Sequence, residues 1–355
     1  MQNEAGHSEE VIIERRGSAG LIRLNRPKAL NSLTLGMVRT IADALARFAE
    51  DREIGSVIVN GEGERGLCAG GDIRLLHTAG RNGTGEAEAF WRAEFQLNHQ
   101  IAHYRKPYIP LMDGITMGGG VGLSSHGSHR IVTERTRLAM PETGIGYFPD
   151  IGATWLLSHA PGEIGTWMGL TGLDIGAAGA IYAGLADHCL DSAKLPDITT
   201  AISALPPGIS DIELHALLTR ASVDPGASSL ASHRDVIDRT FRFDSVEAIL
   251  AALEKEPGEF AAETRRVILT RSPTSLKLTL RLLRAGRASA DLAECLDREL
   301  GACLQILHNP DFYEGVRAAV IDKDRNPKWQ PARIEDTEDR LIDRFLVGAK
   351  PPLFG

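Results

Sequence analysis

Short apolar runs and amphipathic stretches alternate along the first 190 residues. Val11–Glu14 and Leu21–Leu24 flank Arg15-Arg-Gly-Ser-Ala-Gly20, which predicts a β-hairpin. Asn25–Leu33 predicts a loop. From Thr34, the apolar residues Met37, Val38, Ile41, Leu45 and Phe48 recur at helical spacing, predicting one amphipathic helix to about Glu50. Ser56–Asn60 and Tyr108–Met112 predict buried strands. A glycine-rich turn follows each: Leu67-Cys-Ala-Gly-Gly-Asp-Ile73 and the run Gly114–Gly127. Residues 78–85 predict a mobile loop and Glu86–Tyr104 a helix. Arg130–Thr133 and Leu138–Met140 predict further short strands, and 141–152 is too rich in glycine and proline to be regular. Helices at about 153–159, 163–170 and 175–183 and a strand at Ala186–Leu190 complete the series. Strand-then-helix units of this kind predict an α/β fold with helices packed on a sheet.

The pattern changes after Leu195. Pro206-Pro-Gly208 and Asp224-Pro-Gly226 punctuate segments of helical spacing at 211–220, 231–241, 245–255, 257–272, 274–285 and 288–307. The expected division is an α/β core over 9–195 and a mainly helical region over 196–355.

Charge and composition narrow the function classes. A net charge of −8 lacks the basic face that nucleic-acid binding needs. No apolar run approaches the length of a membrane helix, so no membrane partner is expected. Met1–Glu10 is polar and acidic, unlike a signal peptide or an Arg-rich transit sequence. Cys68, Cys189, Cys295 and Cys303 form no CxxC pair, and no histidine cluster has metal-ligand spacing. The expectation is a reduced, cytoplasmic, metal-free protein.

The candidate chemistry lies in the two glycine turns and the loop after them. Cys68-Ala-Gly-Gly-Asp72 and Met117-Gly-Gly-Gly-Val121 each let the backbone approach a ligand and turn its N–H groups outward. One N–H from each turn would cradle a developing oxyanion, although glycines in such places also serve tight strand-to-helix packing. The second turn does not match the dinucleotide fingerprint, since Gly120-Val-Gly122 is followed by Leu-Ser-Ser. Glu142 and Asp150 lie among Met140, Ile145, Phe148 and Ile151. Apolar surroundings and a second carboxylate raise the pKa of one member of such a pair, which suits a base or nucleophile beside a binding group. Two solvated loop carboxylates are the plainer alternative. Glu94 lies on the helix at 86–104. Ser124, Ser125 and His126 lack the G-x-S-x-G elbow of a serine triad.

In order along the chain, Arg26-Pro-Lys-Ala-Leu-Asn31, Leu67–Ile73, Gly118-Gly-Gly120 and Pro141-Glu142 resemble the motifs of the crotonase (enoyl-CoA hydratase/isomerase) superfamily. Within it, Arg92-Ala-Glu-Phe-Gln-Leu-Asn98, Gly114–Gly127, Ala139–Asp150, Phe312–Ala318, Ile321–Asp324 and Pro327–Trp329 are most similar to the 3-hydroxyisobutyryl-CoA hydrolases. The resemblance implies a spiral of ββα turns, with an acyl-CoA thioester entering between the core and the C-terminal helices. It implies an oxyanion hole from Ala69 and Gly119, Glu142 and Asp150 as catalytic carboxylates, and Glu94, Gly118 and Gly120 against the acyl group. Arg26, Lys28, Ala29, Leu30, Asp72, Ile73 and Lys323 would hold CoA, which belongs to the substrate, so no separate cofactor is implied. A homo-oligomer is one outcome in this family, and folding of the C-terminal helices over their own core is the other. Hydratases of the superfamily carry a second catalytic Glu two residues after the third glycine, and here that place holds Gly122. Hydrolysis of a short β-hydroxyacyl-CoA is therefore the expected activity. The alternatives are an enoyl-CoA isomerase or hydratase of the same fold, or a non-catalytic CoA-binding scaffold.

Overall fold

From β3 onward, consecutive strands alternate between two sheets. In the computed structural model, which describes residues 9–354, β1 (Val11–Arg16), β2 (Ala19–Leu24) and α1 (Leu35–Glu50) lead into β3 (Ser56–Gly61) and β4 (Gly66–Cys68). Then come α2 (Ile73–Asn82), α3 (Glu86–Ala102), β5 (Tyr108–Met112), β6 (Ile115–Met117) and α4 (Gly119–Ser124). A third turn brings β7 (Ile131–Thr133), β8 (Arg137–Ala139), α5 (Ala153–Ser158), α6 (Ile164–Thr171), α7 (Ala177–Tyr182) and β9 (His188–Leu190). One sheet has the order β1-β2-β3-β5-β7-β9 and the other β4-β6-β8. Among the described strands, the β1–β2 hairpin pairs antiparallel and every other strand pair is parallel. This is the α/β spiral of ββα turns that the family resemblance implied. The expectation for the N-terminal leader falls almost wholly on residues outside the described range.

From β2 onward the larger sheet is buried on both faces, which is why those strands read as continuous apolar runs rather than alternating ones. Ile22, Leu24, Val57, Val59 and Met112 point into the main core, while Leu21, Ile58, Ile109 and Leu111 point the other way. That second face is covered by α8 (Leu195–Ser203) and α9 (Asp211–Ala221), through Ile198, Ile202, Leu214 and Leu218. The sequence pattern predicted α9 and missed α8.

The remaining chain is helical: α10 (Ser229–Ser232), α11 (Arg234–Phe241), α12 (Val246–Lys255), α13 (Glu259–Ile268), α14 (Pro273–Arg287), α15 (Leu292–Ile306), α16 (Pro310–Val316) and α17 (Asp339–Asp343), with a π-helical turn over Arg317–Ile321. Leu276, Leu283, Leu296, Leu300 and Phe312 from these helices share one cluster with Trp91, Phe95 and Met140 of the preceding units. The C-terminal helices thus pack on the chain's own core.

Residues 78–85 are not the mobile loop expected. Residues 78–82 complete α2, whose Leu76 and Ala79 are buried, and Gly83 ends the helix at φ 62°. Gly80, which reads as a breaker in sequence, lets the helix approach Tyr313 and Leu307. A Cβ there would lie 2.7 Å from the Tyr313 hydroxyl.

Candidate active site

The first glycine turn pairs along its edge with the end of the loop before α1. Leu33 N–H donates to Gly70 O at 2.9 Å and Asp72 N–H donates to Leu33 O at 2.8 Å. This parallel bridge centred on Gly71 turns the Gly71 N–H the opposite way. Neither it nor the Gly119 N–H has an acceptor among the described residues. A Cβ on Gly119 would lie 3.3 Å from Gly71 N, so the two groups flank one spot. Ala69, expected as the first donor, is not available: its N–H donates to Leu30 O at 3.0 Å. The unpartnered N–H of that turn is instead that of Gly71, two residues along.

Gly118 and Gly119 border a cavity of about 190 Å³. Gly118 has φ 49°, which disfavours any side chain, and a Cβ there would lie 3.0 Å from Glu142 Oε1. Gly120 does not border the cavity. Its Cα faces the Cys68 carbonyl, so it serves close packing rather than substrate contact.

Three carboxylates face the same space: Glu94 from α3, Glu142 from a 3₁₀ turn at Glu142–Ile145, and Asp150 from the loop after it. The solvated-loop alternative is excluded, since Glu142 and Asp150 are only 7% and 6% exposed. Glu94 Oε1 and Glu142 Oε2 have no hydrogen-bond partner among the described residues. Buried oxygens of that kind call for a ligand or water. Asp150 Oδ2 accepts a hydrogen bond from the Tyr147 hydroxyl at 2.9 Å, and Cys303 Sγ lies 2.9 Å from the same hydroxyl.

Burial pushes all three carboxyls up. Glu94 is raised well above the usual range by burial, then by the charges of Asp150 and Glu142. Glu142 is raised well above it by burial and by Asp150. Asp150 is pushed up by burial to about 7, with the Tyr147 hydrogen bond pulling the other way. Like charges this close, out of water, keep the trio from ionising together at neutral pH.

The Asp150 loop takes an unusual path. Ile151 has φ 62° and Gly152 φ 76°, so the backbone runs left-handed through a β-branched residue. Glu299 of α15 holds that path, accepting from Gly152 N–H at 2.7 Å, Thr154 N–H at 2.9 Å and the Thr154 hydroxyl at 2.5 Å. Behind it, His126 Nε2 lies 2.8 Å from Ile151 O. Burial pushes the ring down to about 4, so the neutral imidazole carries its proton on Nε2 and donates it there.

The residues implied for CoA divide. Ile73 borders the cavity. Arg26 and Asp72 pair at 3.0 Å, and the Arg26 guanidinium also donates to Ser32 O at 2.6 Å, so both brace the loop. Lys28 and Ala29 are exposed on that loop, Leu30 is half-buried, and none of the three reaches the cavity wall. Lys323 is exposed three residues beyond Val320, which closes one side of the cavity and whose carbonyl accepts from Arg74.

Tyr147, Glu299, Cys303 and Asn98 escaped the sequence reading. Asn98 is fully buried one turn after Glu94, with neither amide atom partnered among the described residues. A Cβ on Gly122 would lie 2.7 Å from Asn98 Nδ2 and 2.9 Å from Ile151 Cβ. The spacing Glu94-x-x-x-Asn98, which puts two polar residues on the otherwise apolar face of the helix with Phe90, Trp91, Phe95 and Ile101, was the available signal.

The chain is 42% identical over 353 residues to the mitochondrial 3-hydroxyisobutyryl-CoA hydrolase of Xenopus tropicalis, covering 98% of this chain and 91% of that protein. To the human protein of the same name it is 41% identical over 350 residues, covering 97% and 90%. Among solved structures, one described as a carnitinyl-CoA dehydratase from Mycobacterium thermoresistibile superposes with a TM-score of 0.92 at 40% identity, covering 98% of both chains. Another, described as an enoyl-CoA hydratase from Rhodobacter sphaeroides, gives 0.87 at 39%, covering 97% and 98%. A family profile described as enoyl-CoA hydratase/isomerase matches residues 19–346, the stretch that holds both glycine turns, all three carboxylates and the helices closing over them. With fold, cavity and sequence in agreement over nearly its whole length, this chain belongs to the enoyl-CoA hydratase/isomerase family.

Proposed function

We propose that the protein hydrolyses a short β-hydroxyacyl-CoA thioester, with 3-hydroxyisobutyryl-CoA the first candidate, to the free acid and CoA. The observation that carries this reading is the closed space at Gly122. Hydration in this family uses a second acid at that position, and here Asn98 and Ile151 occupy the volume its side chain would need. The relatives named as hydrolases match over nearly the whole chain, which supports the same choice. The hydratase and dehydratase descriptions of the solved structures favour the alternative, so the reaction has to be measured rather than read from names.

In this proposal the thioester oxygen sits between Gly71 N–H and Gly119 N–H, where each donor is worth about 100–1,000-fold in rate. The Glu142 carboxylate either attacks the carbonyl carbon, expelling CoA thiolate and leaving a mixed anhydride that water opens, or takes a proton from water as it attacks. Burial makes Glu142 a stronger base than a solvated carboxylate, which serves both routes. Asp150 binds the β-hydroxyl or orients the water, Glu94 and Gly118 line the acyl group, and Ile73, the Arg26–Leu30 loop and Lys323 lie along the CoA path. The volume of about 190 Å³ suits a short acyl group. Single-turnover reaction in ¹⁸O water separates the routes, because only the anhydride leaves label in Glu142.

Among the described residues no helix is long and apolar enough to cross a membrane. All four cysteines are free, which fits a reducing compartment, the cytoplasm included, while the relatives' names place those proteins in mitochondria. Self-association belongs to the same proposal. Light scattering reads it directly.

A further inference from the structure

Asp150 is held by a side chain that the proposed chemistry does not use. The Tyr147 hydroxyl has two neighbours at 2.9 Å, Asp150 Oδ2 and Cys303 Sγ, and the tyrosine is buried against the cavity. A hydroxyl has one proton to donate, and an ionised Asp150 can only accept. The direction is therefore set: Tyr147 donates to Asp150, and the Cys303 thiol donates to the Tyr147 oxygen. Burial keeps both the thiol and the phenol protonated, because each is raised well above its ordinary value. The ring itself is fixed, with its centroid 4.8 Å from Phe148, 5.9 Å from Phe312 and 6.2 Å from Trp91. Tyr147 N–H donates to Glu142 O at 3.0 Å, so the same residue ties the backbone of one carboxylate to the side chain of another.

We propose that Tyr147 is a positioning residue: backed by Cys303, it fixes Asp150 Oδ2 and leaves Oδ1 as the oxygen that meets the substrate. The proposal deepens the hydrolase reading and rests on it for what Asp150 meets. The charged and titratable groups facing Asp150 are Glu94 of α3, Glu142 and Tyr147 of its own loop, and Glu299 and Cys303 of α15, with His126 behind Ile151. Apart from Tyr147, these groups offer carboxylates, a buried thiol and a neutral imidazole directed elsewhere. Removing the phenol thus removes the side-chain donor that favours the Asp150 anion.

The test is Tyr147→Phe, which keeps the ring, with Cys303→Ala as a second variant that leaves the phenol in place. The carboxyl infrared band of Asp150 is titrated without substrate, using Asp150→Asn as the blank, and the pH profile of thiol release is measured alongside. Losing one hydrogen bond to the anion moves the Asp150 titration to higher pH by about one unit. The activity limb set by Asp150 moves with it, and Cys303→Ala moves both in the same direction by less. An unchanged infrared titration in Tyr147→Phe overturns the proposal, as does a loss of turnover with an unshifted profile. A shifted infrared titration in Tyr147→Phe, when the parent protein itself releases no thiol, leaves the Tyr147–Asp150 linkage standing and overturns the hydrolase reading instead.

Discussion

At Gly122 one added carbon meets Asn98 Nδ2 at 2.7 Å and Ile151 Cβ at 2.9 Å, so the hydratase arrangement is closed off by volume as well as by residue type. Gly122→Glu is expected to lower Tm markedly, as overpacking of a dense core typically costs about 1–3 kcal/mol, and to gain no hydratase activity. A well-folded variant that hydrates an enoyl-CoA would refute that reasoning. Glu142→Gln keeps shape and removes the base or nucleophile. Thiol release should fall by about 100–10,000-fold while CoA binding, read by calorimetry, stays unchanged. The carboxylates also predict pH effects. Burial pushes Asp150 up to about 7, so turnover that uses its anion falls as pH drops through that value. Stability runs the other way. The folded state raises Glu94 and so binds its proton more tightly than the unfolded chain. That contribution is full below the ordinary glutamate range and is lost as pH rises through the raised value. Glu94→Gln removes the loss, so its Tm advantage over the parent should grow from pH 5 to pH 8. A Tm difference independent of pH would contradict it.

At the scale of elements, legibility followed locality. The amphipathic helix α1 was readable because five apolar residues at helical spacing face the core and Thr34 caps it, accepting from Met37 N–H at 3.1 Å. Helix α2 was misread because Gly80 and Gly83 look like breakers, and the reason for Gly80 lies in Tyr313, far along the chain. The oxyanion turn was legible as a turn, but not the donor within it. Which N–H is free depends on Leu30 and Leu33, which capture the groups on either side of Gly71. Glu299 was invisible for the same reason: an acidic residue on a helix reads as a solvated face until α15 is laid against the loop at 150–154. Glu299→Ala strands three donors and loosens a left-handed backbone, so a stability loss of about 3 kcal/mol is expected by denaturant titration, together with lower turnover. A loss confined to stability, with turnover intact at a temperature where the variant is folded, would show that the clamp does not position Asp150.

Across the whole molecule, the C-terminal helices are part of the machine rather than an appendage. Helix α15 supplies Glu299 and Cys303 to the Asp150 loop, Val320 shuts one side of the cavity, and α14, α15 and α16 share the core beneath the site. The far face of the large sheet is covered by α8 and α9, set apart from the three carboxylates. Leu218→Ala should therefore cost about 2–5 kcal/mol in unfolding free energy while leaving kcat/KM unchanged in the folded protein. The fold is shared by relatives described as hydrolases, hydratases and dehydratases, so the bond that breaks is the decisive quantity. Free thiol released from 3-hydroxyisobutyryl-CoA, set beside saturated and α,β-unsaturated short acyl-CoAs, reads it most directly. The hydrolase reading expects one thiol per substrate consumed, fastest with the β-hydroxyacyl thioester and lost in Glu142→Gln. Substrate conversion by hydration, dehydration or double-bond migration with no thiol released would contradict it.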